Sequence, residues 1–234
     1  LDYYEIDPAD WKTFPAVYQN VTSLIKDADT GEPFSLNGTP KSMAAFKNKD
    51  IVNTSLTYWL YVNTGEETQK LNISKGFTWS RKSNQFDYET AFGEPAGMDY
   101  LEGGSTTACA YGMKNGDLYM YYSGIAYYGT PMNRLAGEGR FNMAPFIAFP
   151  FNSYLHALFY DTDNKRFVRS SYTSTAAAVV STSGEAFDMG DVGKEMVWMG
   201  YTAASTGQVI ALFKDNGRYF LAKISFITSA PSSM

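Results

Sequence analysis

Short runs of alternating apolar and polar residues, separated by polar turns, form the main pattern of the chain. In ALFYDTDNKRFVRS, at Ala157–Ser170, two apolar-aromatic runs flank a polar turn, which is the sequence form of a β-hairpin. The same form returns at Ala211–Ile224, at Ala110–Tyr121 and, more loosely, at Tyr58–Ile73. No segment of useful length has the i, i+3, i+4, i+7 spacing of an amphipathic helix. The pattern predicts an all-β protein.

The hairpins recur at a nearly regular interval. Their turn centres, near Gly65, Asn115, Asp163 and Asn216, lie about 50 residues apart, and such a period is typical of β-propeller blades built as four-stranded antiparallel sheets. A β-sandwich also contains many short strands and is the alternative. The fold predicted here is a β-propeller, or propeller-like antiparallel repeats, with about four units. Residues 81–105 are interpreted as a turn-rich connection between two units.

One large domain between two short terminal segments is predicted. Residues 31–226 are predicted to form the β-propeller-like domain, and residues 227–234 a flexible tail. Residues 1–30 form a strand and loop segment leading into the domain. Within this segment we expect a strand at residues 18–25 and a helical turn capped by Asp7.

Composition and charge exclude several classes of function. Aromatic residues make up 16% of the chain, and this favours a packed globular protein because disordered chains are poor in them. The formal net charge is −5 and the Lys and Arg residues are scattered, so we predict no nucleic-acid partner. No apolar run approaches the ~18 residues that a membrane span needs. The chain begins at Leu1, and we expect any export signal or lipid anchor to lie upstream.

Histidine and cysteine are too scarce for the commonest catalytic and metal sites. His156 lies in an apolar run and Cys109 in an alternating one, so both are interpreted as structural residues. The DTDN stretch at residues 161–164 is similar to the start of a calcium loop, but it lacks the later glycine and the distal glutamate. Turn chemistry explains these residues. We predict no catalytic residue, no metal and no cofactor.

Loop carboxylates keep an enzyme open as an alternative, because glycosidases use paired acids. The candidates are Asp87, Glu89, Glu94, Asp99, Glu102, Glu138, Asp188 and Asp191. Nothing in the sequence places two of them at a catalytic separation. We therefore predict that the protein is not an enzyme, with a propeller glycoside hydrolase as the alternative.

Aromatic residues on the irregular loops are the predicted binding groups, because aromatic rings stack on sugars and pack against peptide side chains. The predicted ligand-binding residues are Trp79, Phe86, Tyr88, Tyr127 and Tyr128. For each of them the alternative is a place in the hydrophobic core of a blade.

Several stretches also carry a resemblance to a known family. They are FGEP at residues 92–95, YYGTPMNRLAGEGRFNMAPFIA at residues 127–148, LFYDTDNKRFV at residues 158–168 and, more loosely, KNGDLYMYY at residues 114–122. Through them, residues 31–226 resemble the C-terminal propeller-like region of the PKD-like family of surface lipoproteins from Bacteroidetes. These are structural stretches and include no catalytic signature.

The resemblance implies an extracytoplasmic protein at the outer-membrane cell surface. It implies SusC/SusD-like importer subunits as partners, and noncatalytic capture of a glycan or peptide before import. The lipidated cysteine and the PKD-like sandwich of the full-length family pattern are absent from this sequence. Membrane contact is therefore expected only through an upstream lipid anchor. A structural interaction module of a surface complex is the second alternative.

Overall fold

The fold is all-β, as the hydrophobic pattern predicts. The computed structural model of the chain describes residues 3–4, 7, 9–10, 12, 16–49, 56–82, 97–103, 109–122, 131–149, 157–170, 177–180, 188–202 and 208–225. Within those ranges the regular elements are sixteen β-strands, all paired antiparallel, and two single-turn 3-10 helices.

Most of the strands belong to three-stranded antiparallel meanders. In chain order the strands are β1 (Tyr3–Tyr4), β2 (Val17–Tyr18), β3 (Ser42–Lys49), β4 (Leu56–Asn63), β5 (Thr68–Asn72), β6 (Tyr100–Gly103), β7 (Cys109–Lys114), β8 (Asp117–Tyr122), β9 (Arg134–Leu135), β10 (Gly139–Arg140), β11 (Leu158–Asp161), β12 (Arg166–Arg169), β13 (Ala178–Val179), β14 (Glu195–Thr202), β15 (Gln208–Asp215) and β16 (Arg218–Ser225). The 3-10 helices are Val21–Ser23 and Ile73–Lys75. The meanders are sheet I (β3–β5), sheet II (β6–β8), sheet III (β11–β13) and sheet IV (β14–β16), and β1–β2 and β9–β10 form two-stranded ribbons.

Each predicted hairpin is present, one in each of the four sheets. The hairpins are β4–β5, β7–β8, β11–β12 and β15–β16. Asn115 and Asn216 begin the two shortest turns with φ of 53° and 47°, and the glycine that follows each has a φ of 76°. Asn-Gly favours this geometry because both residues tolerate positive φ, as a type I′ turn requires.

The strand predicted at residues 18–25 is wrong. β2 ends at Tyr18, and a 3-10 helix follows at Val21–Ser23. Asn20 has a φ of 52°, and its Oδ1 and carbonyl oxygen accept hydrogen bonds from the hydroxyls of Thr22 and Ser23. These local bonds offer the backbone an alternative to a strand ladder. The turn predicted at Asp7 is present: Oδ1 of Asp7 accepts the backbone N–H of Ala9 at 2.8 Å, and the carbonyl oxygen of Asp7 accepts the N–H of Asp10 at 3.2 Å.

The interpretation of residues 81–105 as a connection is wrong at its end, where β6 begins sheet II. β6 pairs with β7, and only its short alternation of buried and half-buried residues marks it as a strand. The ring of Phe46, on sheet I, lies directly over Gly103, the last residue of β6, and leaves no room for a side chain there. The sequence signal for β6 is weak, because Gly103 disfavours a strand locally and its presence is explained only by a tertiary contact.

Consecutive sheets pack face to face, and the core lies between them. Phe46 and Tyr61 of sheet I belong to the same buried apolar cluster as Leu101 of sheet II. Tyr111 of sheet II lies 5.3 Å from Phe159 of sheet III, measured between ring centroids. The other face of sheet III packs against sheet IV through an extensive apolar cluster. The outer face of sheet I is covered by Ile25 and by the segment that follows it.

Candidate functional site

A tight hairpin turn, formed by residues 27–32, lines one side of the candidate site. Oδ1 of Asp27 accepts the backbone N–H groups of Asp29 at 2.8 Å and Thr30 at 3.1 Å. Gly31 follows with a φ of 77°, which a side chain would disfavour. The backbone N–H of Asp27 donates to the carbonyl oxygen of Glu32 at 2.7 Å and closes the turn. The DADTG sequence thus encodes the turn locally.

Asp27 also joins this turn to the end of sheet I. Its Oδ2 accepts the backbone N–H of Arg81 at 2.9 Å, and the N–H of Ala28 donates to the carbonyl of Trp79 at 2.9 Å. The hydrogen bonds from the backbone of Arg81 and then Asp29 hold the pKa of Asp27 below its ordinary value, since they stabilise the charged form. The carboxylate is therefore a structural group that places Arg81.

The guanidinium of Arg81 is held on three sides. Nη1 donates to Oε2 of the buried Glu67 at 2.8 Å, and Nη2 donates to the carbonyl oxygen of Ser35 at 2.7 Å. The guanidinium carbon lies 5.6 Å from the centre of the Trp79 ring. About a third of the Arg81 side chain stays exposed, 37% in relative terms. A cation held in this way is available to a ligand with little loss of side-chain entropy.

Trp79 is the predicted binding residue whose position the structure describes. Its ring is buried, its Nε1 donates to Oε1 of Gln69 at 3.0 Å, and Phe34 packs edge-on at 4.8 Å. Trp79 lines the site and supports Arg81, and its role in contacting a ligand stays a prediction. The other four predicted aromatics, Phe86, Tyr88, Tyr127 and Tyr128, lie outside the described residues.

Together these groups enclose an open polar pocket of about 590 Å³. Three carboxylates and two cationic groups line it together with smaller side chains. The lining residues are Asp27, Asp29, Thr30, Glu32, Pro33, Ser35, Trp79, Arg81 and Lys82. The volume is within the range of ligand sites, and alternating charges suit a ligand that both donates and accepts hydrogen bonds. Sequence reasoning missed Asp27, Glu67 and Arg81, and the likeness of DADTG to DTDNK at residues 161–165 is the signal that would have found the turn.

Most of the candidate catalytic carboxylates that the structure describes are bound in structural contacts. Asp99 accepts hydrogen bonds from Nζ of Lys41 at 3.2 Å and from the backbone N–H of Asn115 at 2.8 Å. Glu138 pairs with Arg166, and Oδ1 of Asp188 accepts the N–H of Gly190, whereas Asp191 is joined to Asp188 through a backbone β-bridge. The candidates Asp87, Glu89 and Glu94 lie outside the described residues.

Glu102 is the exception, because it lies where sheets II and IV approach each other. Its carboxylate accepts hydrogen bonds from the hydroxyls of Tyr100 at 3.4 Å and Tyr201 at 3.3 Å. Burial raises the pKa of Glu102 above its ordinary value, and burial also raises the pKa of both tyrosines. Burial therefore disfavours the charged form of this carboxyl group, but no described carboxylate contacts it as a catalytic partner.

The DTDN stretch at residues 161–164 stabilises the hairpin turn in which it lies. Oδ1 of Asp161 accepts the N–H groups of Asp163 and Asn164, and Oδ2 accepts from the side chains of Asn164 and Arg166. Among the residues that the structure describes, no group of three or more His, Cys, Asp or Glu side chains could hold a metal ion. His156 and the side chain of Cys109 lie outside the described part.

The described part of the chain contains no helix that is both long and apolar enough to cross a membrane. Comparison with known proteins finds no family model that matches this chain and no curated protein that matches it.

Proposed function

We propose that this protein captures a glycan or a peptide without transforming it, in the pocket between the 27–32 turn and Arg81. The observation that carries the proposal is the preorganised Arg81, held by Glu67, Ser35 and Trp79 beside exposed carboxylates. The proposal places the protein on the cell surface as an accessory of a SusC/SusD-type nutrient uptake system. That placement is supported by the sequence resemblance alone.

The proposal includes a propeller-like arrangement of the four sheets. It is supported by the face-to-face packing of consecutive sheets. It is also supported by an irregular chain segment that lies beside each of three sheets, in the place of a fourth strand. Thr78 bridges Asn72 in sheet I, the N–H of Met132 donates to Leu118 in sheet II, and Ala148 bridges Leu158 in sheet III. We expect a crystal structure to show the sheets radiating from an axis, and a small-angle scattering profile to agree with that arrangement. Two stacked sheets, as in a sandwich, would contradict it.

Asp29→Asn tests the pocket, because the exchange keeps the size of the side chain and removes its charge. Asp163→Asn is the matched control, since Asp163 occupies the same position in the turn at residues 161–166. Binding of wild type and variants to a glycan array and to a peptide library would be compared. We expect Asp29→Asn to weaken binding at least threefold and Asp163→Asn to leave it unchanged. Equal effects of the two variants, or no binding to either set, would refute the pocket.

Affinity purification of the tagged protein from native outer membranes tests the uptake system. We expect an importer subunit to copurify, and the Asp29→Asn variant to retain it because the pocket is for the nutrient. Recovery of the protein without any importer subunit would remove this part of the proposal and leave ligand capture standing.

A glycoside hydrolase is a second candidate function, and Glu102 is the observation that favours it. A general acid needs a raised pKa, and burial supplies one here. Sugar released from a panel of glycans, lost in Glu102→Gln, would establish the enzyme. No release by the wild-type protein is the outcome that the binding proposal expects.

A further inference from the structure

An apolar cavity of about 410 Å³ adjoins the polar pocket. Its lining comes from the segment after the 27–32 turn, from the outer face of sheet I and from the first 3-10 helix. The lining residues are Thr22, Phe34, Ser35, Leu36, Pro40, Met43 and Val62. Met43 lies at the rim and is 55% exposed, whereas Val62 is buried at the floor. An open apolar recess of this size accommodates one large apolar side chain.

The two cavities are separated by a single stretch of chain. Ser35 lines both of them, and its carbonyl oxygen accepts the hydrogen bond from Nη2 of Arg81. Phe34 lines the apolar cavity and packs edge-on against Trp79, which lines the polar pocket. A ligand that crosses this stretch meets an apolar recess and a charged one at successive positions.

The charges of the polar pocket favour a cationic group on the ligand. Asp29 and Glu32 are the exposed carboxylates there, since both oxygens of Asp27 accept backbone N–H groups. The charge of Arg81 is balanced by the buried Glu67. Asp29 accepts a hydrogen bond from the hydroxyl of Ser80 through one oxygen. The side chain of Glu32 makes no hydrogen bond to any residue in the described ranges. Both acids therefore have acceptor capacity for an ammonium or guanidinium group.

We infer that the two cavities together form a peptide site with two subsites. The apolar cavity takes a large apolar side chain such as Leu, Met or Phe, and the polar pocket takes a basic side chain or amino terminus next to it. This rests on the proposed function and narrows its ligand from a glycan or peptide to a peptide. An oligosaccharide of neutral sugars offers no aliphatic side chain for the apolar cavity to remove from water.

Selection from a phage-displayed random heptapeptide library is the test. Sequences with Lys or Arg next to Leu, Met or Phe are expected to be enriched on the wild-type protein. One enriched peptide would then be synthesised, with a second version in which Ser replaces the apolar residue. The Ser version should bind about tenfold or more weakly, since tenfold corresponds to about 1.4 kcal/mol and full burial of such a side chain contributes at least that much.

Met43→Ser locates the apolar residue in the cavity. Met43 is exposed at the rim, so its replacement should leave folding intact, and Leu221→Ser is the control because Leu221 is also an exposed apolar residue and lies on a strand of another sheet. We expect Met43→Ser to weaken the apolar peptide at least threefold, with little effect on its Ser version and no effect of Leu221→Ser on either. Absence of enrichment, or equal binding by the Met43 and Leu221 variants, would overturn the inference.

The outcomes separate this inference from the proposed function. If glycans bind and Asp29→Asn weakens them while Met43→Ser does not, the pocket stands and the peptide site is wrong. If an enriched peptide depends on Met43 but not on Asp29, the apolar subsite stands and the polar pocket is wrong. If neither library is bound, both are wrong.

Discussion

At the scale of the residue, Lys165 and Gly31 show that two different residues can occupy the same left-handed backbone position. They occupy the same position in the turns DTDNKR, at residues 161–166, and DADTGE, at residues 27–32. In each turn the first aspartate accepts two backbone N–H groups, and the fifth residue is left-handed, with a φ of 51° at Lys165 and 77° at Gly31. A side chain at such a φ is strained.

Lys165→Gly should therefore stabilise the protein. Relief of the left-handed strain contributes about 1 to 2 kcal/mol, and the entropy of a glycine in the unfolded chain offsets about half of it. Urea denaturation should show a rise of about 0.5 to 1 kcal/mol in the free energy of unfolding. Lys165→Ala is the control, because alanine removes the charge and keeps the strain. An equal gain from alanine would mean that charge, and not φ, is responsible.

At the scale of the element, the packing of sheet I on sheet II depends on a missing side chain. Phe46 is buried and stacked on Tyr61, with ring centroids 4.4 Å apart and planes 8° from parallel. A Cβ atom on Gly103 would lie 2.2 Å from Cγ of Phe46. Since Tyr61 covers the other face of the ring, Phe46 has little room to move away.

Gly103→Ala should destabilise the protein by about 1 to 3 kcal/mol, the usual cost of overpacking a core. The measurement is the free energy of unfolding in urea. Phe46→Leu, which removes the aromatic ring, is the second variant of a double-mutant cycle. The double variant should lose less stability than the two single variants lose in total, because without the Phe46 ring the introduced alanine side chain meets no clash. Additive costs would show that the ring is not the obstacle.

Sheet IV has an exposed face and an exposed edge. Trp198, Leu212 and Leu221 lie opposite one another across β14, β15 and β16, on the face that points away from the core. Leu221 is 74% exposed and Trp198 47%. β16 pairs with β15, and no other described strand pairs with it. A long apolar edge strand favours pairing between chains.

Leu221→Lys should lower self-association without a cost in stability. A charge on an exposed edge opposes pairing with another chain, and surface substitutions change stability by about 0.5 kcal/mol or less. Sedimentation velocity over a range of concentrations measures the effect. Leu24→Lys is the control, because Leu24 is 72% exposed and lies outside the strands. If both variants behave alike, net charge rather than the edge of β16 controls association.

At the scale of the whole molecule, the contact from Glu102 to Tyr201 spans two sheets that are not consecutive in the chain. Tyr100 and Tyr201 donate to the carboxylate, yet burial still raises its pKa. The folded protein therefore binds this proton more tightly than the unfolded chain does. The contribution of Glu102 to stability is greatest at acidic pH and is lost as the pH rises through its folded pKa.

Glu102→Gln should for this reason be more stable than wild type at pH 7, and the difference should shrink as the pH is lowered toward 4. Chemical denaturation at several pH values measures it, and the difference between the two proteins cancels the titration of the other acids. Glu66→Gln, at an exposed turn, is the control and should show no such trend. If the difference in unfolding free energy between Glu102→Gln and wild type did not vary with pH, the raised pKa of Glu102 would be contradicted.

Local sequence determined the all-β class and the four hairpins of this protein. Asn-Gly at two turns and the Asp-rich turn at residues 161–166 need only near neighbours, since their conformations are set by positive φ and by side-chain to backbone hydrogen bonds. The same local rules explain the turn at residues 27–32. Each hairpin was therefore within reach of sequence reasoning.

Only the tertiary structure decided β6, the face-to-face order of the sheets and the candidate site. From the sequence, Gly103 is indistinguishable from a turn residue, and only the structure shows that Phe46 lies over it. Arg81 is likewise one of several scattered cations in the sequence, and only the structure shows its hydrogen bond to Glu67, 14 residues earlier. Glu102 is one of many acids until Tyr201, 99 residues away, reaches it. These features depend on burial and on contacts between distant residues, and neither is encoded in the spacing of neighbours along a chain.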